Sequence, residues 1–275
     1  MDSDRRFPAL AVVSHQSEEE LRRNLAGQLE VAEQLESRLV VVDNRSRDRT
    51  LELLRSWSRR SASLELLELG RNRGYAAAVD AAFARVPGED VMVLNPDVEV
   101  EDPAPIRSLA RHLEDRPRAG LAAPRLIGPD GDVQPSARRP ASLQAMLGSL
   151  PAARRLSPLR RAYERYLSPS ESEVPASVGW VIGAAMLIRR RAYDEVGGFD
   201  PGFFLYMEDA DFCRRLHGAG WSVEYLPGVT LRHGYARVSS AAGATVLRSS
   251  ARRRHVASLA RYWRKHPSAL YGGGE

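Results

Sequence analysis

The sequence predicts an α/β protein, with a mostly parallel central sheet flanked by helices. Three observations point there. Apolar runs of strand length alternate with helical runs through the first hundred residues. The strand runs are apolar at every position, which is the pattern of strands covered on both faces. Polar residues collect where these runs end, as they do at the carboxyl edge of a parallel sheet.

The elements follow in order. Leu10-Ala11-Val12-Val13-Ser14 reads as a buried strand. Ser17 with Glu18, Glu19 and Glu20 resembles a helix start, and Leu21, Leu25 and Leu29 mark one helical face. Leu39 to Asp43 is the second strand, and Arg47 to Arg60 a helix with Leu51, Leu54 and Trp57 at helical spacing. Leu64 to Leu69 is the third strand, Tyr75 to Val86 an alanine-rich helix, and Val91 to Leu94 the fourth strand. The runs end in Ser14-His15, Asp43-Asn44, Gly70-Arg71-Asn72-Arg73-Gly74 and Asn95-Pro96-Asp97.

The second half changes character. Gly128-Pro129-Asp130-Gly131 signals a hairpin within Leu126 to Arg139. Residues 140–172 are basic and helix-prone. Val178 to Ile188 reads as one central strand, with the small residues Gly183, Ala184 and Ala185 inside it, where a ligand or backbone can come close. Ser222 to Leu226 is a further strand, followed by Arg232-His233, and residues 246–267 form a basic helix. We read one domain over 1–245 in two halves, 1–100 and 101–245, the second carrying the basic insertion 140–172. A basic helix and tail, 246–275, completes the chain.

Composition narrows the class. Of 275 residues, 43% are hydrophobic and 27% charged, as in an ordinary globular protein. Cys213 is the only cysteine, so neither an internal disulfide nor a cysteine-based zinc site is expected. The start of the chain lacks an apolar signal core, and no run reaches the length of a membrane span. These features fit a cytoplasmic protein. The net charge of +5 comes almost wholly from arginine, with Lys265 the single lysine. Arginine grips phosphate with a planar fork, so the excess suits a phosphorylated ligand or an anionic membrane surface. No helix-turn-helix, zinc-finger or aromatic RNA-binding signature accompanies it, so no nucleic-acid partner is expected.

The densest chemistry lies in Glu208-Asp209-Ala210-Asp211, after the aromatic run Phe203-Phe204-Leu205-Tyr206. Acids favour the first turn of a helix. A carboxylate in a dry pocket can also take a proton from a hydroxyl. The residues alone leave both explanations open.

Taken together, the ordered motifs resemble the inverting family 2 glycosyltransferases with their GT-A fold. The likeness runs through Ala11-Val12-Val13-Ser14-His15, Val42-Asp43-Asn44-Arg45-Ser46 and Gly70-Arg71-Asn72-Arg73-Gly74. It continues through Asn95-Pro96-Asp97, Gly183-Ala184-Ala185, Gly197-Gly198-Phe199-Asp200 and Glu208-Asp209-Ala210-Asp211 to His233, over roughly residues 8–235. The bacterial rhamnosyltransferase-like branch, which builds cell-surface polysaccharide, is the nearest in character. The resemblance implies transfer of a sugar from a nucleotide diphosphate, dTDP-rhamnose or else a UDP-sugar, to a hydroxyl of a glycan or lipid-linked glycan.

It also implies roles. The first half, 1–100, would be the nucleotide-binding half and the second, 101–245, the acceptor half. Ser14, Asp43, Arg71, Asn72, Gly74, Asn95 and Asp97 would bind the nucleotide, Asp43 through the ring N–H of a pyrimidine and Ser14 through its backbone. Asn95-Pro96-Asp97 stands in place of the family's D-x-D motif. Asp97 and His233 would hold a divalent Mg2+ or Mn2+, with the amide of Asn95 replacing the first carboxylate. Asp209 would be the catalytic base. Glu208, Asp211, Gly183 and Ala184 would shape the acceptor side, and no catalytic role falls to His15. A catalytically silent nucleotide- or glycan-binding module on the same fold is the alternative. The leucines and arginines of 143–166 suggest an amphipathic element resting peripherally on the inner face of the cell membrane, with Arg252, Arg253, Arg254, Arg261, Arg264 and Lys265 adding charge.

Overall fold

The computed structural model describes residues 7–150, 152–234 and 250–268. The expected boundary at 245–246, the two ends of the chain and the side chains of Arg252 and Arg253 lie outside the described residues. The first half alternates as its sequence predicts: β1 (Ala9–Ser14), α1 (Glu18–Gln34), β2 (Leu39–Asp43), α2 (Thr50–Ser58), β3 (Leu64–Glu68), α3 (Tyr75–Phe83) and β4 (Val91–Leu94). Next come β5 (Val98–Glu99), α4 (Ala104–Asp115), β6 (Ala119–Ile127), β7 (Ala137–Arg138), α5 (Leu143–Gly148), α6 (Ser157–Leu167) and β8 (Ala176–Ser177). Then follow β9 (Trp180–Val181), β10 (Ala185–Ile188), α7 (Arg190–Val196), α8 (Glu208–Gly218), β11 (Ser222–His233) and α9 (Ser250–Lys265).

Every residue of β1, β2 and β4 is buried. Alternation along a strand sends neighbouring side chains to opposite faces. Leu10, Val12 and Val41 therefore join α1's Leu21, Leu25 and Leu29 in one core. Ala11, Val13, Val40 and Val42 join α3's Ala76, Val79 and Phe83 in the other. Apolar residues at every strand position are thus the signature of a sheet buried twice over.

The main sheet runs β3-β2-β1-β4-β10-β6-β11-β5, with β8 beside β11. Pairing is parallel from β3 to β4 and between β6 and β11; β10, β5 and β8 pair antiparallel. The crossover reverses at β1, which has β2 on one side and β4 on the other. Loops leaving the carboxyl ends of β1 and β4 diverge there and open a crevice.

Three expected elements differ. Val178 to Ile188 is not one strand. β9 pairs with β7 in a separate small sheet, and β10 enters the main one. The backbone leaves the ladder at Gly183 because its N–H donates to Asp209 and its carbonyl accepts from the Tyr75 hydroxyl. α2 begins at Thr50 rather than Arg47, because Asp43 and Asp48 hold the preceding loop through the N–H groups of Ser46 and Thr50. β11 outlasts Leu226 by bulging before Thr230 and rejoining β6 at Arg125. Ser17 precedes α1 without capping it; its hydroxyl accepts instead from the His15 N–H, at 3.4 Å.

Candidate active site

The carboxyl edge of β1, β2 and β3 gathers the expected nucleotide-binding residues. Ser14 and Asp43 are buried at adjacent strand ends and paired in register. The Ser14 hydroxyl donates to the Val42 carbonyl, and its own carbonyl accepts the Asn44 N–H at 2.8 Å. Asp43 accepts the Ser46 N–H at 3.1 Å. Asn44, just past the end of β2, is buried and clamps the loop above it. Its amide donates to the Gly74 carbonyl at 3.1 Å and accepts the Arg73 N–H at 2.8 Å. Asn72 bonds the Gly74 N–H at 3.0 Å, so its side chain builds the turn, and Arg71 is exposed beside it. Gly74 has φ +84°, and a side chain there would run into the Phe204 backbone. Glycine is required for both reasons.

At the end of β4, the Asn95 N–H donates to the Ala184 carbonyl at 2.8 Å, joining the acceptor half to the nucleotide half. Asp97 and His233 lie far apart in sequence. The antiparallel pairing of β5 with β11, His233 opposite Val98, brings them together. His233 Nε2 stands 3.2 Å from Asp97 Oδ1, with side-chain exposures of 4% and 18%. Gln134 fixes the ring: its Nε2 donates to the His233 carbonyl at 3.2 Å, so its Oε1 faces His233 Nδ1 at 2.7 Å. Gln134 thus orients the ring, and Nε2 faces the Asp97 carboxylate. The donor set, one carboxylate and one imidazole, fits a divalent ion. Among the described residues no cluster of three or more metal-binding side chains occurs.

The acid pair opens α8. Tyr206 and Met207, just before it, both take left-handed backbone conformations, with φ of 69° and 66°. Such conformations in non-glycine residues are strained and need external support. The Ser258 hydroxyl supplies some by donating to the Leu205 carbonyl, and the Tyr75 N–H by donating to Phe204. Asp209 Oδ2 then accepts the Gly183 N–H at 3.1 Å, and Oδ1 the Ala210 N–H at 2.8 Å. Burial raises its carboxyl above the ordinary value; those N–H groups and the charge of Arg138 offset part of the rise. Glu208 is buried with Oε2 unpartnered, and burial, then Asp209, push its carboxyl well up. Tyr75 ties the halves together: its phenol is raised by burial and then by Glu208, Asp209 and Asp97. A side chain at Gly183 would meet the Tyr75 ring at 3.2 Å.

Asp211 is corrected. It is fully buried, and its carboxylate binds Arg215, Lys265 and His266, each at 2.8 Å. It therefore anchors α9 to α8 rather than lining the acceptor side. Gln134, Tyr75 and Arg138 escape the sequence reading. Tyr75 follows Gly74 in a recognised motif, which is a usable signal. Gln134 and Arg138 sit in an irregular stretch with no periodic cue. Cys213 is buried, its thiol pushed up to about 12, which suits a core residue and not a nucleophile.

A doubly wound half whose strand ends face an acid pair at a helix start has the GT-A transferase architecture. The fold matches a mannosyltransferase from Pyrobaculum calidifontis in complex with GDP-Man and Mn2+, with a TM-score of 0.61 and 19% identity over 86% of this chain. It also matches Staphylococcus aureus TarS in complex with UDP, with a TM-score of 0.58 and 14% identity over 82% of this chain. The chain spans 59% and 60% of those two chains. In sequence it is 36% identical over 230 residues to an N-acetylglucosaminyl-diphospho-decaprenol L-rhamnosyltransferase of Mycobacterium tuberculosis, covering 78% of this chain and 71% of the relative. The profile "Glycosyl transferase family 2" matches residues 10–197, and "Glycosyl transferase family group 2" matches 163–263. The chain belongs to glycosyltransferase family 2.

Proposed function

We propose that this chain is an inverting, metal-dependent rhamnosyltransferase. Its donor is dTDP-rhamnose, with UDP-sugars next in order, and its acceptor is a hydroxyl of a sugar carried on a lipid diphosphate. The observation that carries the reading is a convergence at one crevice. Asp97 meets His233 two residues after Asn95, whose N–H bonds the Ala184 carbonyl, and the adjoining Gly183 pins Asp209 and accepts the Tyr75 hydroxyl. The Mycobacterium tuberculosis relative, by its name, supplies the sugar and the acceptor class.

Inversion by a single displacement needs a base on the face opposite the leaving group. Asp209 takes the acceptor's hydroxyl proton as that oxygen bonds the anomeric carbon and the bond to the diphosphate breaks. The raised carboxyl makes it a stronger base than an exposed aspartate. The two N–H groups hold it in position and offset part of the rise that burial causes. Asp43 and the Ser14 backbone hold the pyrimidine, and the loop at 70–74 shapes the ribose and phosphate wall. A divalent cation held by Asp97 and His233 would neutralise charge on the departing diphosphate.

No helix among the described residues is long and apolar enough to cross a membrane. The insertion favours peripheral contact at the inner membrane face. Leu143, Leu147, Leu150 and Leu156 are 36%, 41%, 47% and 60% exposed, beside the exposed Arg155, Arg161 and Arg165. Apolar exposure rimmed by arginine suits an anionic bilayer.

The test is calorimetric titration with dTDP, UDP and GDP, each with and without Mn2+, followed by transfer assays. We expect dTDP to bind most tightly, in a Mn2+-dependent way. Preference for GDP, or binding indifferent to Mn2+, would overturn the reading.

A further inference from the structure

A cationic wall beside the acid pair takes no part in the chemistry above. Arg138 lies on β7, in register with Trp180 on β9. Its guanidinium sits 4.8 Å from the Trp180 ring centroid and 5.6 Å from that of Tyr166. Its Nε donates to the Pro135 carbonyl at 3.0 Å, which fixes the plane. From Trp180 the chain runs through Ile182, whose N–H bonds the Ser136 carbonyl, to Gly183, which holds Asp209. The small sheet thus carries Arg138 alongside the catalytic carboxylate.

α9 packs on the segment that leads into the acid pair. Arg254 lies 4.1 Å from the Phe204 ring centroid, and His255 stacks on Tyr206 at 4.8 Å. Both aromatics belong to the strained segment leading into Glu208. No carboxylate among the described residues forms an ion pair with Arg138 or Arg254. Guanidinium groups stacked on aromatic faces, with no acid neutralising them, are preorganised for a phosphate.

We propose that Arg138, with Arg254 of α9, forms an anion subsite that binds the diphosphate of the acceptor. The proposal rests on the reading of the acceptor as a glycosyl diphosphate. In such an acceptor the attacked hydroxyl touches Asp209, and the diphosphate lies one sugar ring away. A diphosphate at Arg138 would sit on the strand pair that leads to Gly183 and its contact with Asp209. It also explains why positive charge is placed near a base it weakens: the bound diphosphate neutralises it.

The test needs no turnover. The protein is titrated with farnesyl diphosphate, a short prenyl diphosphate, with and without saturating dTDP and Mn2+. dTDP affinity is measured in parallel. We expect farnesyl diphosphate to bind in both conditions, and Arg138→Gln to weaken it about tenfold or more, the loss of a charge-assisted contact. Arg138→Lys should recover part of the loss, and dTDP affinity should stay unchanged. Competition between farnesyl diphosphate and dTDP would assign the anion to the donor site and overturn the proposal. So would unchanged affinity in Arg138→Gln, or no binding to the unsubstituted protein. If farnesyl diphosphate binds as expected while dTDP does not, the subsite stands and the donor assignment fails alone.

Discussion

Glu208 and Asp209 are neighbours held under different conditions. Asp209 has two N–H groups on its carboxylate, whereas Glu208 buries an oxygen with no partner. Burial raises both, and Asp209 beside it pushes Glu208 further, well above its ordinary value. An acid raised by folding binds its proton more tightly in the folded chain. Stability is therefore fully present below the ordinary carboxylate range and falls as pH rises through the raised value. Glu208→Gln removes that loss. We expect it to melt higher than the parent at about pH 8 and no higher at about pH 4, where both carboxyls are protonated. An equal gain at both pH values would contradict the assignment. Asp209→Asn keeps an acceptor oxygen for one of the two N–H groups and removes the base. Turnover should fall about 10²–10⁴-fold while dTDP binding persists. The acid limb of the parent's rate profile should lie above the ordinary aspartate range, since the base acts only when ionised. Wild-type turnover in Asp209→Asn would remove it from the mechanism. The sequence makes Asp209 legible because the acid pair follows an aromatic run, but it cannot separate Asp209 from Asp211. That difference is set by which side of the first turn faces α9.

Elements are legible where one face decides them. β1, β2 and β4 are buried on both faces, so their apolar runs carry the assignment. β9 and β10 do not read as two pieces, because the break at Gly183 is imposed by the side chains of Asp209 and Tyr75 from distant segments. The α8–α9 contact is equally non-local. Asp211 is buried under Arg215, Lys265 and His266, and Asp200 takes a second pair from Arg261 and Lys265. Removing one partner of a buried charge cluster leaves the others uncompensated. Asp211→Ala should cost about 3–5 kcal/mol in urea unfolding, more than an exposed pair such as Arg23–Glu19, worth about 0–1 kcal/mol. A loss as small as that of the exposed pair would show that the Asp211 cluster does not anchor α9. The insertion makes its own prediction. Leu147→Asp with Leu150→Asp should abolish co-sedimentation with phosphatidylglycerol vesicles, which the parent should show at low salt and lose as salt rises. Equal binding of parent and variant, or parent binding to neutral vesicles just as well, would dismiss the membrane face.

At the scale of the molecule, the site is a product of topology. The crossover reversal at β1 opens the crevice, and β11 returns a histidine to it from the far side of the sheet. The residue types at the first strand ends are legible because each sits where a local apolar run stops. The meeting of Asp97 with His233 is not, since it depends on a two-residue strand, β5, that no periodicity announces. Its consequence is measurable for the whole fold. A ligand that binds only the folded chain stabilises it by about 2.7 kcal/mol at about 100 times its Kd. dTDP with Mn2+ should therefore raise the melting temperature by more than the two added separately, if the ion bridges protein and diphosphate. His233→Ala and Asp97→Asn should each keep the shift from nucleotide alone, which rests on Asp43 and the loop at 70–74, and lose the increment from Mn2+. Gln134→Ala should lose part of that increment, because the imidazole keeps its place in β11 but loses the partner that orients its ring. Mn2+ shifting all three variants as it shifts the parent would mean that the ion is held elsewhere. The pairing of β5 with β11 would then serve only to close the edge of the sheet.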